Sequence, residues 1–139
     1  DLASGTNVSA ELYKEDMYAE FKDLQHYPIL FVSALTKRRV SNVLEKAWET
    51  FTKQKEKLST KDLNVWIEKA VKNYPPPATQ GKSIKIKFVE QVQQSPPIFA
   101  LFSNYPKLIS IQYLRYLHNQ LRESFDLKGI TIKFSLRKG

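Results

Sequence analysis

The side chains of this sequence that could do chemistry are few, and most of them are cations. Histidine occurs twice, at His26 and His118. Neither has a metal-ligating or catalytic partner at a local spacing used by zinc or hydrolase sites. His118 falls on or beside the apolar stripe of a helix, which is where a core or boundary histidine sits. The absence of cysteine excludes a disulfide framework, a thiolate metal site and a cysteine nucleophile. Gly81-Lys82-Ser83 resembles the end of a phosphate-binding P-loop. The glycine five positions earlier is missing, however, and an alternating, strand-like segment follows where a helix is required. No GxSxG or HExxH pattern occurs. What remains is a basic constellation: Lys82, Lys85, Lys87, Lys107, Arg115, Arg122, Lys128, Lys133, Arg137 and Lys138, with Tyr105, Tyr113 and Tyr116 among them. Cations of this kind supply sequence-independent affinity for phosphate, and exposed aromatic rings can stack unpaired bases. The alternative for the tyrosines is that they complete helix packing.

The charge is unevenly placed. Residues 1–60 carry 9 Lys/Arg and 9 Asp/Glu, whereas residues 61–139 carry 13 against 5, so the whole net charge of +8 lies in the second part. A neutral unit followed by a basic one points to two units, the second facing phosphate. Lysines serving solubility are the competing explanation. No apolar run approaches the ~20 residues of a membrane span, and the first residues lack the basic and apolar regions of a signal peptide. The sequence also lacks an initiator Met, so it reads as a fragment.

The elements that must position these residues follow from periodicity. Leu12, Met17, Phe21 and Leu24 sit near helical spacing. Pro28 opens Ile29-Leu30-Phe31-Val32, whose continuous apolar run predicts a strand buried on both faces. Val40, Val43, Leu44, Ala47, Trp48 and Phe51 then recur at i, i+3, i+4, i+7, i+8 and i+11, a strongly amphipathic helix. Beyond a charged linker, Ser59 with Asp62 resembles a capping box. It starts a helix carrying Leu63, Trp66, Ile67, Ala70, Val71 and Tyr74, stopped by Pro75-Pro76-Pro77. Ile84, Ile86 and Phe88 alternate with Lys85 and Lys87 and are expected on one face of a strand. A Ser-Pro-Pro turn leads to an apolar strand at 98–102. Leu114, Leu117, His118, Leu121 and Phe125 mark a further helix, with Gly129 as its exit turn. The last strand alternates Ile130, Ile132, Phe134 and Leu136 with Thr131, Lys133, Ser135 and Arg137. The second part therefore predicts a three-stranded sheet covered on one side by helices, each outer strand presenting one apolar and one Lys/Arg face.

Taken in order, "PILFVSALT", "STKDLNVWIEKAV" with "YPPP", "KIKF" with "PPIFALFSN", "YLRYLHNQLRESF" and "GITIKF" cover nearly all 139 residues. This series resembles the C-terminal portion of the bacterial tandem-domain GTPases of the Der (EngA) type. The resemblance implies an α/β (α+β) chain: residues 1–57 as the C-terminal slice of a P-loop GTPase domain, the second GTP-binding domain, and residues 58–139 as a KH-like domain. It implies that Ser33, Ala34 and Leu35 form the last guanine-contacting loop, with the Ala34 N–H donating to the guanine carbonyl. It also implies that Asp1 is the acid of the preceding Asn-Lys-x-Asp motif. GTP or GDP with Mg²⁺ would be bound by the full-length protein and none by this chain. It carries no P-loop or Mg²⁺ ligands, so it should not hydrolyse GTP. The implied setting is cytoplasmic, in ribosome biogenesis. The partners would be the large ribosomal subunit or its rRNA and the chain's own upstream GTPase domains, with no membrane. KH domains clamp nucleic acid with a GXXG loop, and the helix-linking stretch "NYPKLISIQY" contains no glycine. The basic face therefore either meets rRNA less specifically or docks on the GTPase domains to transmit nucleotide state.

Overall fold

The computed structural model describes residues 6–32 and 39–139. Helices α1 (Thr6–Glu20), α2 (Val40–Gln54), α3 (Thr60–Asn73) and α4 (Ile111–Phe125) accompany strands β1 (Ile86–Gln94), β2 (Pro97–Ser103) and β3 (Lys133–Lys138). The sheet runs β1-β2-β3, with β2 antiparallel to β1 and parallel to β3. Helices α3 and α4 cover one of its faces; on the other, Phe88, Glu90 and Lys133 are exposed, while Ala100 is buried. The covered core is built from Leu63, Trp66, Ile67 and Ala70 of α3, Tyr113, Leu117 and Leu121 of α4, and Val89, Phe99 and Leu101 of the sheet. The 16 buried apolar side chains among the described residues all lie between Leu63 and Ile132. The second part therefore has a core of its own.

Both core helices have the starts and stops that their sequences require. The Ser59 hydroxyl accepts from the Asp62 N–H at 3.4 Å, and the Ser110 hydroxyl accepts from the Tyr113 N–H at 3.1 Å. Two carbonyls at the end of α3 gain side-chain partners, that of Ala70 in addition to the helical bond it accepts from the Tyr74 N–H. They accept from tyrosine hydroxyls of α4: Tyr113 on the Tyr74 carbonyl and Tyr116 on the Ala70 carbonyl, each at 2.8 Å. These two rings thus complete helix packing. Burial holds the Tyr113 phenol well above its ordinary pKa, with Tyr116 and Tyr74 adding to the shift.

Two expectations from periodicity are corrected, and one helix is more exposed than its stripe suggests. Residues 29–32 do not form a strand: a single extended run has no ladder partner among the described residues, and Leu30 and Val32 stay exposed. Helix α2 forms, but its apolar stripe is not buried, and Leu44 and Trp48 are 72% and 70% exposed. In β1, pairing with β2 slips between Ile86 and Phe88. A bulge of this kind reverses every side chain beyond it. Ile84 therefore points inward as expected, but Val89 and Gln91 take over the core face, and Phe88 turns to the open face to stack on Phe102 at 4.1 Å. At the exit of α4 the turn at Gly129 is preceded by a second left-handed residue. Asp126, at φ 49° and ψ 49°, takes the left-handed cap position, and Gly129 (φ 77°) follows three residues later.

Because β1 is an edge strand, the outward backbone groups of Val89 have no strand to pair with. Asn64 of α3 supplies the missing partner: its Oδ1 accepts from the Val89 N–H at 3.0 Å and its Nδ2 donates to the Val89 carbonyl at 3.1 Å. An amide side chain here does the work of a fourth strand for one residue. Asn64→Ala strands both part-buried groups and should cost about 1–3 kcal/mol. The expected reading is a lower urea midpoint with an unchanged slope; an unaltered midpoint would show that the pairing contributes nothing.

Candidate nucleic-acid interface

The basic residues separate into distinct environments. Lys82, Lys107 and Lys138 line one cleft of about 350 Å³, together with Gln80, Tyr105 and Leu108. Three separate elements meet there. Thr79 and Lys82 exchange backbone hydrogen bonds around Gln80 and Gly81, both at positive φ, which makes a tight turn that presents Lys82. Lys107 lies on the 3-10 turn Pro106–Leu108, and Lys138 ends β3. Lys82 Nζ stands 4.9 Å from the centre of the Tyr105 ring, which is 37% exposed.

Asn104 holds this arrangement together. Its Oδ1 accepts from the Lys85 N–H at 2.8 Å, its Nδ2 donates to the Ser83 carbonyl at 2.9 Å, and its own N–H donates to the Lys85 carbonyl. The segment carrying Lys82 and Lys85 is thereby pinned to the end of β2. Composition offered no sign of this role. A lone Asn after an apolar strand reads only as a turn former, because its partners lie about twenty residues upstream.

Lys133 and Arg137 project from the open sheet face, with the Arg137 guanidinium 6.0 Å from the Phe102 ring. Lys85 and Lys87 are exposed, the latter in the β1 bulge, and Arg115 is exposed on the outer side of α4. Lys128 lines a second cleft of about 360 Å³ with Lys46, Lys53 and Asp126.

Arg122 does not belong to the basic surface. It is 9% exposed, donates from Nη2 to the Ile130 carbonyl, and its Nε has no hydrogen-bond partner among the described residues. Burial lowers its pKa, an effect that the nearby Tyr27 phenol opposes. One position past Leu121 on α4, it sits at the border of the apolar stripe, where sequence does not decide between solvent and core. Tyr113 and Tyr116 likewise leave the candidate set, which keeps Tyr105 as its one exposed tyrosine.

The helix-linking stretch has no glycine and spends part of its backbone donors internally. The Leu108 N–H donates to the Tyr105 carbonyl and the Ile109 N–H to the Pro106 carbonyl, and Pro106 has no N–H. The implied guanine-contacting residues Asp1, Ser33, Ala34 and Leu35 lie outside the described residues. Among the described residues, no cluster of three or more His, Asp or Glu could hold a metal, and no helix is long and apolar enough to cross a membrane.

A seam joins the first part of the chain to this unit. His26 Nε2 and Asn119 Oδ1 are 2.8 Å apart, Lys53 pairs with Asp126 at 2.8 Å, and the Gly129 N–H donates to the His26 carbonyl. A Cβ on Gly129 would come within 3.1 Å of the Pro28 ring, so close approach as well as positive φ requires glycine there.

These features define a KH-like unit: helices on one face of a small mixed sheet, with cations on its rim. The family model described as the KH-domain-like of EngA bacterial GTPase enzymes, C-terminal, matches residues 57–137. The protein named GTPase Der of Amoebophilus asiaticus is 40% identical over 138 residues, 99% of this chain and 32% of that protein. GTPase Der of Fusobacterium nucleatum is 42% identical over 93% of this chain and 29% of its own length, and that of Flavobacterium johnsoniae is 37% identical over 99% and 32%. The chain belongs to the Der (EngA) GTPase family, whose C-terminal KH-like domain it carries. It spans about a third of the length of the curated relatives it matches.

Desolvation, with the nearby charges of Arg122 and His26, depresses His118 from the ordinary 6.5 to about 4, and its ring packs 4.4 Å from Phe134. Between those values the unfolded chain binds the proton more readily. The contribution to stability is therefore present above about pH 6.5 and is lost as pH falls towards 4. Partial exposure of the ring keeps the slope below the limit of about 1.4 kcal/mol per pH unit. Urea unfolding at pH 7.5 and 5 should show this loss, and His118→Phe should flatten it; an equal slope in the variant would show that another group is responsible.

Proposed function

We propose that this chain is the C-terminal part of a GTPase acting in assembly of the large ribosomal subunit, and that its basic KH-like domain contacts ribosomal RNA or the maturing subunit. The observation that carries the reading is uncompensated charge. The ion pairs among the described residues use Lys14, Lys46 and Lys53, and no lysine or arginine from 61–139. Cations that folding leaves without carboxylates are available to phosphate, and their fields add over the surface. In this proposal residues 1–57 are the remnant of the second GTP-binding domain and 58–139 the KH-like domain. GTP or GDP with Mg²⁺ belongs to the full-length cytoplasmic protein, at Asp1, Ser33, Ala34, Leu35 and residues outside this chain. The chain alone would not hydrolyse GTP.

Filter binding against large-subunit rRNA at several salt concentrations tests it. Affinity should fall linearly on a log–log plot, and Lys133→Gln with Arg137→Gln should flatten that line. Arg122→Gln should alter stability and leave the slope as it is. No binding at low salt, or binding indifferent to salt, would refute the proposal.

A second reading, in which the domain docks on its own GTPase domains and transmits nucleotide state, is favoured by the seam and by the open sheet face with its Phe88–Phe102 stack. Lys85→Glu with Lys87→Glu in the full-length protein separates the two. Altered nucleotide affinity with intact ribosome association favours docking; the reverse favours RNA contact.

A further inference from the structure

We infer that the cleft between the Thr79–Lys82 turn, the corner after β2 and the end of β3 is a subsite for one unpaired nucleotide of single-stranded RNA. Its phosphates would be held by Lys82, Lys107 and Lys138 and its base would stack on Tyr105. This rests on the RNA-contact reading above and gives it a location and a substrate class.

The chemistry of the walls supports a nucleotide over a bare anion. The cleft, about 350 Å³, has cations from three elements that are distant in sequence, and no carboxylate lines it. A phosphate alone would need only the cations. The Tyr105 ring and Leu108 also line the cleft, an apolar surface suited to a base and of no use to an inorganic ion. An acidic peptide would meet the lysines but would leave the ring unused. Gln80 adds an amide at the rim, able to donate to or accept from a base edge.

The one obstacle is that Lys82 already lies against the Tyr105 ring. At an exposed site that contact favours the pair by no more than roughly fivefold. Stacking of a base on an aromatic ring is worth roughly 5- to 100-fold. A base therefore displaces the ammonium, which gains a phosphate as it leaves the ring. Ligand binding replaces one weak internal contact with two intermolecular ones, so the free state leaves little for the ligand to undo. The Asn104 bonds to Ser83 and Lys85 hold the segment that carries Lys82, here the strap, while this exchange occurs.

The preference should be for unpaired bases, since a base within a duplex cannot offer its face to Tyr105. The test uses the full 139-residue chain and a fluorescein-labelled eight-nucleotide single-stranded RNA, its duplex, and polyglutamate as competitor, read by anisotropy at several salt concentrations. Single-stranded RNA should bind more tightly than duplex, and polyglutamate should compete poorly. Tyr105→Leu should lower affinity about tenfold with the salt slope kept, and Tyr105→Phe should retain binding. Lys82→Gln, Lys107→Gln and Lys138→Gln together should reduce the slope by about 1.4, the two phosphates flanking one nucleotide each contributing about 0.7 on a single strand. Thermal melts confirm that these surface variants fold. If the RNA binds with unchanged affinity and slope in both variants, the subsite is wrong and the wider reading stands. If the unaltered chain binds no RNA at low salt, both fail. Equal binding of duplex, or polyglutamate competing as well as RNA, overturns the nucleotide assignment.

Discussion

Every other part of the domain answers to the backbone of β2. As the middle strand it must satisfy its N–H and C=O groups on both sides, and it does so with β1 on one edge and β3 on the other. That double pairing fixes which side chains share a face. Val89, Leu101 and Leu136 meet across the sheet, as do Gln91, Phe99 and Phe134, and this is the face that α3 and α4 cover. The complementary rows, Phe88–Phe102–Arg137 and Glu90–Ala100–Ser135, are thereby directed outward. Where β2 ends, Asn104 carries the pattern one residue further by pinning Ser83 and Lys85, so the rim of cations is an extension of the sheet.

Wherever one helix face or one strand face decided the outcome, the sequence was readable. The stripes of α3 and α4, the Ser59 cap and the alternation of β3 all appear as their spacing predicts, because each is a local pattern with a single buried side. What failed was non-local. Residues 29–32 have the composition of a buried strand, but a strand is defined by neighbours that spacing cannot supply. The reversal in β1 comes from an extra residue in its pairing with β2, invisible in "IKIKFVEQV" taken alone. Gly129 was recognised as special for its conformation, yet its requirement is equally the nearness of Pro28, about a hundred residues away in sequence.

The candidate site was legible in its charge and illegible in its grouping. Composition identified the cations, but only the fold brings Lys82, Lys107 and Lys138 to one cleft, scatters Lys133, Arg137 and Arg115 over other surfaces, and withdraws Arg122 into the core boundary. The three tyrosines divide for a definable reason. Tyr113 and Tyr116 have α3 carbonyls within reach of their hydroxyls, so burying the rings strands no polar atom. Tyr105, at a corner beside the cleft, remains on the surface.

The helix-linking turn bears on how the proposed RNA contact would be made. A GXXG loop offers phosphate preorganised backbone N–H groups that lose little freedom on binding. In this chain the 3-10 turn at Pro106–Leu108 uses the Leu108 and Ile109 N–H groups, and Pro106 has none. In the proposed RNA contact, phosphate recognition would rest on lysines, each a hydrated point charge on a stem with about 2 kcal/mol of rotamer entropy to lose. Weaker, strongly salt-dependent and sequence-blind attraction would follow from that proposal. What geometric selectivity there is must then come from the rigid elements, which are the Tyr105 ring and the strap that Asn104 anchors. A domain so equipped is suited to recognising where a nucleic acid is unpaired, since the ring responds to an exposed base face and the lysines respond to any phosphate.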